Sequence, residues 1–420
     1  MLRGRGDLVR RRPLRALLVG VAVVLVGSGL SAPAAVADAE VEPRLPSAVN
    51  APGAWSEPRV PREPVAALGV ATRTMPVGLR DSRDRLAFFW TSALDGRSSW
   101  LDAGFWPNDW SLEGGVAVSP DGRWLAWVRP AKARGREGLG GLGAPLAGWS
   151  VLDTTTGRVR DLAVPGFDRV RPTFSDLAFS RDSRYLLTSY ETPDRPRNGN
   201  RGHRFVAWDA ADGSPHVLEE PGHYWLPTLG YADSGVVWSR GHRVFRADPA
   251  TGDRATVTLP RKVSLASFAP GDAGFAYLGP DDRLYVGATS AAATRAIGLP
   301  DSSPVGEFLA WRDATHVVLG NYRREVYVVD TTDGGVETID LAGSGDQVNT
   351  PVLALDLWAE PLRDPVAPVG TSDPRRPWRW VGLGVFVGLL AGGAVLLRRA
   401  DRTAGRRRPQ PAAERRRVRA

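Results

Sequence analysis

The chain has 420 residues, 43% of them apolar and 24% charged, which is enough apolar material for a large core and excludes global disorder. It contains no cysteine, which excludes disulfides, thiolate metal sites and thiol nucleophiles. The net charge of +8 is no nucleic-acid signature: residues 1–15 hold +5 and residues 398–420 hold +8, leaving −5 for residues 16–397. No nucleic-acid partner is expected for that mildly acidic body.

At the N-terminus Arg3, Arg5, Arg10, Arg11, Arg12 and Arg15 precede an apolar run over residues 16–30, and Ala35-Val36-Ala37 follows. A basic head, an apolar centre and a small-residue site predict a secretory signal peptide over 1–37, cut after Ala37. Residues 38–65 are Pro-rich and read as an extended linker.

Residues 66–360 show short strand-like runs and no helical period. One element is Ser119-Pro120-Asp121-Gly122-Arg123-Trp124-Leu125-Ala126, repeated from Ser180 and more weakly from Ala269-Pro270-Gly271-Asp272. It reads as strand, tight turn, strand, with Pro presetting φ and Asp-Gly supplying the turn. A second element is a strand ending in Asp, followed four residues later by Gly: Asp153 with Gly157, Asp209 with Gly213, Asp248 with Gly252, Asp330 with Gly334. A spacing near 40 residues with four strands per unit predicts propeller blades. They fall at about 112–164, 173–220, 224–260, 264–299 and 306–341. Three candidate strands in 68–103 remain, with a late one in 352–358. An open ring would leave unpaired edges, so the late strand is expected to complete the early three. The prediction is an all-β, six-bladed β-propeller, or seven blades if residues 342–358 contain more strands.

The Ser-Pro-Asp-Gly-Arg-x-Leu-Ala element resembles the repeat of TolB-like and WD-related six-bladed propellers. The resemblance implies a fold and a partner-binding platform. The additional N-terminal domain of TolB has no counterpart here, so a specific role does not carry over.

Residues 361–379 are again Pro-rich and read as a stalk. The apolar segment 380–397 follows, preceded by Trp378 and ending at Arg398-Arg399. Its length, its interfacial tryptophans and the basic tail over 398–420 predict a single transmembrane helix with the tail in the cytoplasm and the propeller extracytoplasmic. Gly384, Gly388 and Gly392 recur every four residues, a spacing that permits close helix approach and dimerisation.

Of the 15 tryptophans, Trp90, Trp127, Trp208, Trp238, Trp311 and Trp358 are expected in strands at similar blade positions, packing blade on blade. The repeated aspartates are expected to form turns rather than bind calcium, since no dense Asp-x-Asp-x-Asp loop is present. The five histidines (His203, His216, His223, His242, His316) show no metal spacing, and no nucleophile elbow, P-loop or dinucleotide fingerprint occurs in the exported region. No catalytic residue, metal or cofactor is therefore predicted.

In a four-stranded blade the second-to-third strand connection and the blade-to-blade connection open on one rim. Two insertions fall there, 130–149 with Lys132, Arg134 and Arg136, and 191–204 with Arg195, Arg197, Arg201 and His203. Arginine and exposed aromatics are enriched where protein surfaces bind. The predicted ligand-binding set is Trp106, Trp110, Arg169, Arg171, Arg197, His223, Tyr224 and Trp225, suited to an envelope protein or an anionic cell-wall polymer. The expected function is a non-enzymatic binding, scaffold or sensor module. The alternative is a propeller enzyme acting on an extracellular carbohydrate or lactone-like substrate, which would need Asp109, Asp168, Glu220 and His223 to converge.

Overall fold

The computed structural model describes residues 41–77, 81–103, 115–130, 146–163, 177–192, 202–219, 229–230, 235–300, 305–321, 325–341, 343, 351–368, 373 and 375–405. Strands come first: β1 (Val65–Val77), β2 (Asp81–Ser92) and β3 (Ser98–Trp100). The second blade is β4 (Val116–Val118), β5 (Trp124–Pro130), β6 (Leu146–Asp153) and β7 (Arg158–Leu162). The third is β8 (Leu177–Phe179), β9 (Tyr185–Thr192), β10 (Gly202–Asp209) and β11 (Pro215–Glu219). The fourth is β12 (Leu229–Gly230), β13 (Val236–Arg240), β14 (Arg243–Ala247) and β15 (Arg254–Thr258). The fifth is β16 (Leu265–Phe268), β17 (Phe275–Leu278), β18 (Leu284–Gly287) and β19 (Arg295–Ile297). The sixth is β20 (Val305–Trp311), β21 (His316–Asn321), β22 (Glu325–Asp330) and β23 (Val336–Asp340).

The last strand, β24 (Val352–Leu353), returns to pair with β1, Leu353 opposite Ala67 and Val352 opposite Leu68. The first sheet therefore has the order β24-β1-β2-β3, and the described residues form six four-stranded sheets, a six-bladed β-propeller. The late strand takes the innermost place in its blade, next to β4, and is not an outer segment. It is also shorter than the 352–358 run predicts. Leu355–Leu357 turn into a 3-10 helix, which lets the Asp356 N–H reach the Pro120 carbonyl and its carboxylate reach Arg181 at 2.7 Å.

Apolar clusters fill the gaps between blades. Trp149 and Trp208 bridge the second and third blades with ring centres 5.7 Å apart, and Phe205 stacks on Trp238 between the third and fourth. Ala310, Val318 and Val328 of the sixth blade meet Ala67, Phe89 and Leu353 of the first, which closes the ring. Trp90, Trp127, Trp208, Trp238 and Trp311 are all buried, so blade packing is their role. Their positions are not equivalent, however. Trp311 is in an innermost strand, Trp127 and Trp238 in second strands, and Trp90 and Trp208 in third strands, while Trp358 follows the 3-10 turn outside any strand. Each gap has its own shape, and a large ring fills whichever strand leaves the largest void.

The prolines keep residues 42–64 extended, but this segment lies on the ring as a strap. The Arg44 N–H donates to Ala93 O, Val49 N–H to Leu341 O, and Arg59 N–H to Trp100 O. Trp100 Nε1 donates to Gly53 O and Trp90 Nε1 to Arg59 O. Leu45, Val49 and Ala51 are buried. The strap passes up the groove between the sixth and first blades, around the outer edge of β3, and down to Val65, whose N–H donates to Gly122 O. The segment expected to stand as a stalk also packs here: Arg363 exchanges backbone hydrogen bonds with Leu45 and Ser47, and Asn50 Nδ2 donates to Val366 O.

The last element among the described residues is a helix, α1 (Arg376–Gly405). Its stretch Trp380–Ala400 has mean hydropathy 2.2 and none of it is buried, so by length and composition it can cross a membrane.

Candidate functional site

Lettering each blade A to D from the axis outward, the A–B and C–D connections share one rim (the turn rim). The B–C and D–A connections share the other (the loop rim).

The turn rim is built by the two repeated elements. Ser119 Oγ donates to Asp121 Oδ1 and accepts from the Trp124 N–H, and Gly122 sits at φ +72 where a side chain would strain the backbone. Ser180, Asp182 and Tyr185 repeat the same bonds. In the C–D turns Asp153, Asp209, Asp248 and Asp330 each accept the N–H two residues on, at 2.7–2.9 Å, and each glycine N–H returns to the aspartate carbonyl. These aspartates are turn-formers, held by their own backbone. Among the described residues no group of three His, Asp or Glu is placed to hold a metal ion.

His316 lies between two of these turns, 2.9 Å from Asp313 and 3.9 Å from Asp330. Burial pushes the Asp313 carboxyl up, but hydrogen bonds from Thr315, His316 and Arg312 outweigh it and hold the group well below the usual carboxylate range. The cluster locks the A–B turn of the sixth blade.

Between blades the turn rim is joined by arginines that local sequence does not announce. Arg160 of β7 donates to Ala210 O and Ala211 O in the next blade's C–D turn, and Arg295 of β19 donates to Thr331 O and Thr332 O in the equivalent turn of the sixth blade. Arg62 of the strap lies against Gly157, in the C–D turn of the second blade. β11 carries no arginine, and the Gly252 turn beyond it has open space at that point. A depression of about 160 Å³ beside Trp124, Asp153, Arg158 and Arg160 belongs to this joint. Arg160→Ala and Arg295→Ala should each cost about 1 kcal/mol, the value of one charged hydrogen-bonding group at a part-exposed site. Thermal denaturation checks this, and Arg254→Ala, whose hydrogen bond to Val217 O is 3.4 Å long, should cost less.

The loop rim is where binding residues were predicted. All eight (Trp106, Trp110, Arg169, Arg171, Arg197, His223, Tyr224 and Trp225) lie outside the described residues, as do Asp109, Asp168 and Glu220. The described strand ends on either side of them do share this rim: β3 and β4, β7 and β8, β9 and β10, β11 and β12.

Described residues add a cluster that sequence reasoning missed. Arg261, between β15 and β16, places its guanidinium 5.1 Å from the Tyr285 ring centre. Tyr285 stacks on Tyr277 at 4.9 Å and donates its hydroxyl to Asp281 at 2.7 Å. That bond holds the Asp281 carboxyl below, and with burial pushes the Tyr285 hydroxyl above, their ordinary values. Arg261, Lys262, Asp281 and His242 are exposed around these rings. The only sequence signal was the pairing of two strand tyrosines, which reads as core until β17 and β18 bring the Gly279–Pro280–Asp281 turn beside Arg261.

No family model matches the chain, and no curated protein matches it. Among solved structures, a chain in a crystal structure of the mitotic checkpoint complex aligns at 12% identity with a TM-score of 0.37. The alignment covers 57% of this chain and 66% of that one, just under two thirds. So slight a likeness carries nothing about function. The sheet topology itself defines the class: a six-bladed propeller, a rigid ring whose rims present loops, which is in general a platform for binding or scaffolding.

Proposed function

We propose that the chain is a membrane-anchored, non-enzymatic binding module. Its propeller lies outside the membrane and recognises an envelope protein or anionic wall polymer through the loop rim. The observation that carries this reading is the combination of a closed ring with one fully exposed apolar helix of spanning length at its C-terminal end. The signal-peptide pattern over residues 1–37 and the arginine-rich tail after α1 support the same orientation. The test is capture from crosslinked membranes by the tagged, purified ectodomain. Trp106→Ala combined with Tyr224→Ala should abolish capture while leaving the melting temperature unchanged. Undiminished capture by the double variant would move recognition off this rim.

Dimerisation through α1 belongs to the same proposal. A Cβ added at Gly384, Gly388 or Gly392 meets nothing within 4 Å, so this face is open to a second helix. Gly388→Ile should weaken the crosslinked dimer of the full chain, with Leu390→Ile, off the glycine face, as the neutral comparison.

A further inference from the structure

Four C–D turns share one hydrogen-bond pattern, and each holds its glycine at positive φ, between +70 and +88. Three of these glycines are covered by an arginine: Arg160 lies over Gly213, Arg295 over Gly334 and Arg62 over Gly157. At Gly252, in the same turn at φ +79, no described atom lies within 4 Å of an added Cβ. Register explains the difference. Arg160 pairs with Val151 and Arg295 with Val286, whereas in β11 the same place, opposite Ala207, is held by His216. The shorter imidazole stops short of Gly252.

Arg160 and Arg295 engage the carbonyls one and two residues after the turn aspartate, Ala210 and Ala211 in one joint, Thr331 and Thr332 in the other. The counterparts after Asp248 are Pro249 O and Ala250 O, and no described group donates to either. Arg254 leans away from them, to Val217 O.

A second orphan lies in the same joint. Tyr185 pairs with Asp209 as Trp124 pairs with Asp153, and Trp124 lines the depression beside Arg160 together with Ala210 and Ala211. Tyr185 therefore takes the matching place between the third and fourth blades. It is 2% exposed, and its hydroxyl has no hydrogen-bond partner. Its ring meets His216 edge-on, with centres 6.0 Å apart. Burial raises the hydroxyl's pKa, Arg184 stacked on the ring lowers it, and the carboxylates of Asp248, Asp209 and Asp182 raise it again. The surroundings are thus acidic on balance.

We propose that the joint between the third and fourth blades is a receptor for a guanidinium group, the side chain of an arginine on a partner polypeptide. The guanidinium takes the place that arginines of this chain take over the other three turns. It donates to Pro249 O and Ala250 O and, with the His216 ring turned aside, to the Tyr185 hydroxyl. The strap is the precedent for an arginine that arrives from outside the blade, since β3 carries none and Arg62 covers the next turn instead. A planar fork of donors fits two neighbouring carbonyls, which a compact ammonium does not. This site is on the turn rim and stands or falls independently of recognition at the loop rim.

The probe is arginine capped at both ends, acetyl-arginine methylamide, added to the full chain in detergent. Its citrulline analogue, neutral and nearly isosteric, is the comparison. At ten times its dissociation constant the arginine probe should raise Tm by about 2–5 °C. It should also shift the His216 imidazole signals of histidine-labelled protein, and the citrulline analogue should do neither. His216→Arg supplies the missing side chain, so it should raise Tm without probe and abolish the response to probe. Tyr185→Phe removes a hydroxyl that bonds nothing, so it should leave Tm in place while weakening the probe roughly fivefold, the value of one hydrogen bond to a charged group. Arg160→Ala vacates the neighbouring slot and should be restored towards the wild-type Tm by the probe.

An equal response to the citrulline analogue, or one that survives His216→Arg, overturns the site. Equal binding of the capped lysine analogue overturns the guanidinium class. Failure of the probe to restore Arg160→Ala overturns the equivalence of the joints. Free arginine carries a carboxylate that the aspartates repel, so it should bind more weakly than the capped form. Tighter binding of free arginine makes the ligand a small molecule and overturns the partner polypeptide.

Discussion

A chain shortened to begin at Val65 should fail to fold as a cooperative unit. The strap buries Leu45, Val49 and Ala51 in the groove between the first and sixth blades. Removing them exposes apolar surface worth about 5 kcal/mol, at ~1.5–3 kcal/mol for each larger side chain. It also removes the hydrogen bonds that the Trp90 and Trp100 indole N–H groups make to the Arg59 and Gly53 carbonyls, about 0.5–1.5 kcal/mol each. The Arg73 guanidinium loses Ser56 O as well. The sum is comparable to the whole stability of an ordinary domain, ~5–15 kcal/mol. Differential scanning calorimetry should show one sharp transition for residues 42–367 and none for residues 65–367. A shortened chain that melts sharply within a few degrees of the longer one would reduce the strap to a passenger.

The seam should be the second point of failure. Leu353 is 6% exposed, pairs with Ala67, and packs with Ala310 and Val318 across the junction of first and last blades. Leu353→Asp puts an unpaired carboxylate into that junction at a cost of about 3–5 kcal/mol. Because β24 is only two residues long, its strand pairing adds little to what the Leu353 side chain contributes, and the load falls on the contacts of Asp356 and Arg363. The expected result is release of the whole tail after β23: limited proteolysis should cut after residue 350 and free α1 from the ring, while the wild type resists. Leu353→Met keeps the volume and should cost under about 1.5 kcal/mol. If Leu353→Asp stays protected, closure depends on the strap and the 3-10 contact of Asp356 with Arg181 rather than on β24.

Much of the ring was legible in the chain, for a local reason. The Asp-x-x-x-Gly and Ser-Pro-Asp-Gly turns are closed by hydrogen bonds within five residues, so each leaves its signature in one stretch of sequence. Blade bounds read from these turns fall within about five residues of the strand sheets, as at 264–299 against Leu265–Ile297. The seam was legible for a different reason, since three early strands and one late one make a whole blade only together.

The joints were not legible. Arg160 finds its partners fifty residues away and Arg295 thirty-six, and nothing in a strand reading Arg-Val-Arg-Asp-Leu says which arginine will reach the next blade. The Arg261–Tyr285–Asp281 cluster joins two connections and a strand in the same way. The strap was hidden by its own composition: proline predicts extension in a free linker and in a bound one alike, and only the groove shows which it is.

The residue pattern by itself determined the strand repeat, the turn chemistry and the apolar helix, because each depends on neighbours along the chain, and it left six or seven blades open. Tertiary structure alone decided that the late strand is innermost and that the proline-rich ends bind the ring instead of spacing it. Those outcomes depend on which distant surfaces meet, and contact between distant residues is set by the closed ring as a whole.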